Sequence, residues 1–192
     1  MKQAAKAVAN AVFFLFALLP ALLAGFGRFR PLFELFAQAL ANCPGVVGVY
    51  ARRAYYVMTL RSCSTKCCIE FGTFFAHRAA TVEDGVYIGA YCIIGRAHIG
   101  ARTQIANSVH LLSGRHQHPR DAAGGLAGSE AGAFHEIRIG ADCWIGSGAV
   151  VMADVGDGTT VGAGAVVTKD LPPRVVAAGV PARVIKPAGP AG

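Results

Sequence analysis

The residues best equipped for chemistry converge on one short tract, Ser113-Gly114-Arg115-His116-Gln117-His118-Pro119. An imidazole titrates near neutrality, so His116 or His118 can take the proton of a hydroxyl as its oxygen attacks an electrophile. Arg115 beside them can hold an anionic or polar substrate group. Histidine is also a metal ligand, and His98, His110, His116 and His118 together admit a second kind of chemistry, water activation on zinc. His110, with strand-like neighbours, reads more simply as a packed or stacked side chain, and His98 and His135 as lesser candidates still.

What must position the tract is a repeat. Residues 113–136 are rich in Gly, Ala and charge. On both sides of them an aliphatic residue followed by a small one recurs at a step of six. The beat runs Ile88-Gly89, Ile94-Gly95, Ile99-Gly100, Ile105-Ala106, and resumes as Ile139-Gly140, Ile145-Gly146, Val151, Val155-Gly156, Val161-Gly162 and Val167. Two steps are short, Ile94 to Ile99 and Val151 to Val155. A period of six fits neither an amphipathic helix nor an alternating strand. It fits a triangular coil in which each hexad gives one short strand and one corner, the aliphatic side chain points inward, and the small residue tolerates the neighbouring backbone. Stacked turns then bury a column of Ile and Val that no turn could bury alone. Residues 113–136 cannot keep the beat and should loop out, where functional residues concentrate.

Ahead of the coil lies a different composition. Residues 11–26 are apolar, shorter than the roughly 20 residues that cross a bilayer core, and Pro20 interrupts them. A single membrane span and a cleaved secretory signal are both disfavoured. Pro31 can open a second helix with Leu32, Phe33, Phe36 and Leu40 on one face. Val46, Val47, Tyr50, Val57 and Met58 outline a third, with Arg52 and Arg53 on its polar side. The reading is three short helices over residues 1–62, a coil over 63–187 and a tail over 188–192. The helical faces pack on the coil or on a second subunit, or else rest on a membrane surface.

Net charge is +7, and residues up to Lys66 hold eight Lys or Arg against one acid, Glu34. The remainder is balanced, with ten of each. A basic segment that is also apolar suits an anionic membrane surface better than nucleic acid, which is excluded as a partner. The six cysteines are irregularly spaced and read as reduced thiols of a cytoplasmic protein. A metal site at Cys63, Cys67 and Cys68 lacks a fourth ligand, so packing is the better explanation.

The stretch 139–186, IGADCWIGSGAVVMADVGDGTTVGAGAVVTKDLPPRVVAAGVPARVIK, strongly resembles the carboxyl half of hexapeptide acetyltransferases. The resemblance extends over residues 68–186, and sugar O-acetyltransferases of the maltose, galactoside, colanic-acid and capsule types look most similar. It implies a mainly β fold, a left-handed parallel β-helix with an N-terminal helical segment and a protruding catalytic loop. It also implies acetyl-coenzyme A as donor, a saccharide or polysaccharide-precursor hydroxyl as acceptor, and a homotrimer with sites between adjacent coils, with no metal required. His116 matches the family's catalytic histidine when Ile99-Gly100 is aligned with the preceding Ile-Gly of the family, and His118 is the alternative. Lys169, Arg183 and Lys186 match positions that meet the coenzyme's phosphates. Ser147, Ala163 and Thr168 match positions along its pantetheine arm. Trp144 matches a residue at the acceptor end of the tunnel, and Arg115 is assigned to substrate.

Residues 71–85 depart from the galactoside and maltose enzymes, having no equivalent of the Asn and acidic residues that bind sugar there. Serine or a xenobiotic of the chloramphenicol type is therefore an alternative acceptor. From other classes come a γ-carbonic-anhydrase-like zinc enzyme and a non-catalytic β-helical scaffold. Against the zinc enzyme stand the His-Gln-His spacing and the TKDLPP ending.

Overall fold

A computed structural model describes residues 2–113, 125 and 134–189, with side chains from Asn10 onward. Short parallel strands form the three faces of a triangular coil. The first face stacks β1 (Ser62–Cys63), β4 (Thr81–Val82), β7 (Ala97–Ile99) and β10 (Ile137–Ile139), continued by single bridges at Val155 and Leu171. The second stacks β2 (Cys68–Ile69), β5 (Tyr87–Ile88), β8 (Gln104–Ile105), β11 (Trp144–Ile145), β13 (Thr160–Val161) and β15 (Val175–Ala178). The third stacks β3 (Phe74–Phe75), β6 (Ile93–Ile94), β9 (His110–Leu111), β12 (Val150–Val151) and β14 (Val166–Val167). A last strand, β16 (Arg183–Pro187), turns back antiparallel on β15 and covers the edge of the second face.

In every strand pair the register superimposes the inward residues. Ile69, Ile88, Ile105 and Ile145 form one column, and Phe75, Ile94, Leu111 and Val151 another, all inaccessible to solvent. The hexad beat is this core seen along the chain, as expected. The small residue after each aliphatic also has the expected cause: a Cβ on Gly146 would lie 2.5 Å from the backbone N of Ala163 in the next turn.

Steps between inward residues reveal which corner is free to vary. From first face to second and from second to third the step is always six, as in Val82, Ile88, Ile94 and in Ile139, Ile145, Val151. From third face back to first it is 7 at Phe75 to Val82, 5 at Ile94 to Ile99, 28 at Leu111 to Ile139, and 4 at Val151 to Val155 and again at Val167 to Leu171. All three short steps and the long insertion thus fall at one corner. The regular corners are fixed in length by a residue in the left-handed region, such as Tyr91 (φ 60°), Arg102 (φ 60°), Asp142 (φ 55°) and Gly148 (φ 70°). Among the described residues the variable corner has none. With no fixed turn to complete, it accepts deletions and a long loop alike.

The helices are α1 (Lys2–Leu23), α2 (Arg30–Ala41) and α3 (Gly45–Thr59). The first is longer than expected. Its Ala-rich start favours helix, and Pro20 falls so near the C-terminal end that few hydrogen bonds are lost.

A larger correction concerns Arg52, which is fully buried and not on a polar surface. Along a coil strand alternate residues bond to the following turn, as Cys68 N to Val86 O and Glu70 N to Ile88 O, and those between them face the preceding turn, as Ile137 N to Arg96 O. In the first turn the residues between, Cys67 and Ile69, have no preceding strand to supply donors to their carbonyls. Arg52 Nε donates to Ile69 O at 3.0 Å and Arg53 Nη1 to Cys67 O at 3.4 Å, so α3 closes this edge of the second face. Arg52 Nη1 also reaches Leu40 O (3.0 Å) and Cys43 O (2.7 Å), placing a cation at the C-terminal end of α2. Burial lowers the guanidinium pKa, opposed by Tyr56 and Glu70. Tyr56 packs edge-on against Phe75, 4.7 Å between centroids, which makes the helices the cap that a solenoid end requires.

Candidate active site

Arg115, His116 and His118 lie outside the described residues, but both ends of their loop are defined, and both sit at the variable corner. Ser113 is buried, its Oγ accepting from Arg96 N at 2.8 Å and its carbonyl from His135 N at 3.0 Å. Arg96 Nη1 donates to Phe134 O at 3.1 Å, and the Phe134 ring lies 5.3 Å from the His77 ring. Glu136 pairs with Arg61. The loop is thus clasped where it leaves and re-enters the coil, against residues of the two preceding turns. The clasp fixes the edge of the coil at which Ser113 and Phe134 lie.

Of the other histidines, His110 stands on the outer side of β9, half-buried between Ile93 and Val150 of the adjoining strands. His135 is exposed at the loop base. His98 makes a polar contact that sequence reading missed: its Nε2 lies 2.8 Å from Glu83 Oε1, while Glu83 Oε2 accepts from Ala101 N at 2.9 Å. This pair borders a cleft of about 470 Å³ with Arg138, Asp154 and Asp157 on the first face. The signal that finds it is sequence separation, because residues one turn apart in a triangular coil are neighbours. Leu171 separates that cleft from the one lined by Lys169 and Arg183. Its basic residues are His98, paired with Glu83, and Arg138.

The coenzyme-matched residues fall into two groups. Ser147 and Ala163 are exposed at the corner between second and third faces, on adjacent turns joined by Gly164 N to Ser147 O at 2.8 Å. Trp144, three residues before Ser147, is 59% exposed on the outer side of β11 and flanked by Gln104 and Thr160. A stacking aromatic left this open has no packing role in the monomer. Lys169 and Arg183 line one small cleft with Asp170, Leu171, Ala182 and Val184, and Thr168 precedes it. Lys186 lies on β16 opposite Val176. Between the groups run the outer sides of β12 and β14, presenting Val150 and Val166. Lys169 lies across the third face from Ser147 and Ala163, whereas Lys186 lies on the second face, as Trp144 does.

The cysteines are unpaired. Cys67 points into the core while Cys68 faces outward and donates to Glu70 Oε1 at 3.4 Å; partial burial, then this bond, pushes its thiol up to about 11. Cys63 and Cys67 touch, Sγ to Sγ 3.7 Å. Among the described residues no three His, Cys, Asp or Glu side chains are placed to hold a metal ion.

Comparison with known proteins agrees with this architecture. Residues 136–169 match the family described as bacterial transferase hexapeptide (six repeats). The chain is 58% identical over 52 residues to the galactoside O-acetyltransferase of Escherichia coli (strain K12), covering 26% of each. It is 40% identical over 121 residues to a Schizosaccharomyces pombe (strain 972) protein named as an acetyltransferase, covering 62% of this chain and 52% of that one. It therefore spans about half or less of the curated relatives it matches. Among solved structures, a maltose O-acetyltransferase from Clostridium difficile 630 superimposes with TM-score 0.67 at 25% identity, covering 86% of this chain and 89% of that chain. A galactoside acetyltransferase in complex with coenzyme A gives TM-score 0.58 at 26% identity, covering 84% of both. The chain thus has a hexapeptide repeat and a parallel β-helix fold, similar to those of the galactoside and maltose O-acetyltransferases.

Proposed function

We propose that the protein is an acetyl-coenzyme-A-dependent O-acetyltransferase acting on a hydroxyl of a saccharide or polysaccharide precursor. The observation that carries the reading is the cleft shared by Lys169 and Arg183, beside the third face on which Val150 and Val166 point outward, with the Ser147 and Ala163 corner at that face's other edge. Cations beside a narrow apolar face suit a ligand with a slender arm and a polyphosphate head. Lys169, Arg183 and Lys186 would meet the phosphates, and Ser147, Ala163 and Thr168 the arm. Trp144 and Arg115 would face the acceptor. The likeness to a galactoside acetyltransferase that binds coenzyme A supports this assignment.

In the proposed reaction His116 takes the acceptor proton as the hydroxyl oxygen bonds to the thioester carbonyl carbon. The tetrahedral intermediate then expels the coenzyme thiolate, which recovers the proton from the imidazolium, leaving an acetyl ester and free thiol. His118 is the alternative base. A thioester is already activated, so no enzyme nucleophile is needed. Adjacent coils of a homotrimer would complete the site, the loop of one facing the coenzyme wall of the next. Mass-spectrometric screening of glycan acceptors with acetyl-coenzyme A tests the whole proposal. A gain of one acetyl group on a glycan supports it, and acetylation of serine or chloramphenicol alone would overturn the saccharide assignment.

A further inference from the structure

The packing of α1 is inverted. Its inner side, against α3, is lined by the small buried residues Ala17 and Ala21, followed by Ala24, while Val12, Leu15, Phe16, Leu19, Leu22 and Leu23 point outward. Leu15 is 72% exposed, Phe16 63% and Leu19 64%, and the ridge continues in Phe26 and Phe29 beyond the helix end. A water-facing helix carries its charges on that side. Here the outward side between Val12 and Phe29 has one charge, Arg28.

We propose that this ridge docks on an anionic lipid surface, with α1 lying in the plane of the interface. No helix among the described residues is long and apolar enough to cross a membrane. Lysines occur at positions 2 and 6 in the first turns of α1, and Arg28 and Arg30 follow its far end, so cations bracket the apolar ridge. The nearest acid, Glu34, is already paired with Arg30 at 2.7 Å. Apolar contact flanked by cations is the pattern of an interfacial helix attracted to acidic headgroups. A second copy of this chain would bring the same basic ends together, which disfavours self-pairing.

The ridge also has a fixed relation to the candidate site. Gly27, between α1 and α2, packs so closely that a Cβ there would lie 2.3 Å from Thr59 O and 3.4 Å from Arg78 Cβ. Arg78 and His77 belong to the variable corner, and His77 touches Phe134 at the base of the loop. The lipid-docking end of the helices and the base of the loop therefore share one edge of the coil.

The test is flotation of the full-length protein with phosphatidylcholine vesicles, with and without phosphatidylglycerol, at low and high salt. Binding to the anionic vesicles that weakens with salt is expected. The variant Leu15→Ser/Leu19→Ser/Leu22→Ser should bind at least about a hundredfold more weakly, with an unchanged thermal melt because these side chains are exposed. The proposal is overturned if the protein ignores both vesicle types, or if the variant floats as well as the parent. It is also overturned if the variant only dissociates an oligomer, which would make the ridge a contact between copies. Binding is read without acetyl-coenzyme A, so failure here leaves the proposed transfer reaction untouched.

Discussion

Replacing Arg52 with Met keeps most of the buried volume and removes the guanidinium. Three well-formed bonds disappear, to Ile69 O, Leu40 O and Cys43 O, at 2.7 to 3.0 Å. Leu40 O keeps Cys43 N as a donor at 3.1 Å, so two carbonyls carry most of the cost. Each bond from a charged donor contributes about 1.5–3 kcal/mol, and a carbonyl left buried without a partner costs a similar amount. Relief of the arginine's own desolvation offsets part of this, leaving about 3 kcal/mol. For a chain of this size that lowers Tm by roughly 6–12 °C. Circular dichroism melts at one protein concentration measure it, since self-association would otherwise shift Tm. A Tm within about 2 °C of the parent would refute the claim that α3 closes the open carbonyl edge of the coil.

Gly146→Val should destabilise by about 3 kcal/mol, because its Cβ meets backbone and not a movable side chain; urea unfolding reads this. Trp144→Ala should leave urea stability within about 1 kcal/mol, since the ring is 59% exposed, while raising KM in an acetyl-transfer assay. Lys169→Ala and Arg183→Ala should each raise KM for acetyl-coenzyme A roughly tenfold with kcat retained, the signature of lost binding that is equal in ground and transition states. Burial, then Arg96 and Arg30, hold the His77 pKa below the ordinary imidazole value. The unfolded chain therefore binds that proton first, and stability falls as pH drops below about 6.5 toward the folded pKa. His77→Gln should remove this component from urea midpoints compared near pH 7 and about pH 5.5.

The coil was legible because its code is local. An aliphatic residue followed by a small one marks the turns from Ile88 to Val161, and the breaks after Ile94, Leu111 and Val151 fall at the variable corner. Existence of the helices was also legible, from Pro31 and the Phe33, Phe36 and Leu40 spacing. What sequence periodicity hid were contacts fixed by stacking across turns. Arg52 reads as polar surface on a helical wheel, and only the orphaned carbonyl of Ile69, 17 residues away, explains its burial. The Glu83 and His98 pair was invisible for the same reason. Periodicity did not foresee α1 with its alanines inward and leucines outward, because an apolar run does not say which side faces the protein.

The most direct test of the account is release of free coenzyme thiol from acetyl-coenzyme A in the presence of a glycan acceptor, compared for the parent, His116→Ala and His118→Ala. Loss of general-base catalysis predicts a kcat lower by about 10²–10⁴ in His116→Ala, with acetyl-coenzyme A still bound and the melt unchanged. Near-parental turnover in that variant would contradict the assignment of the base.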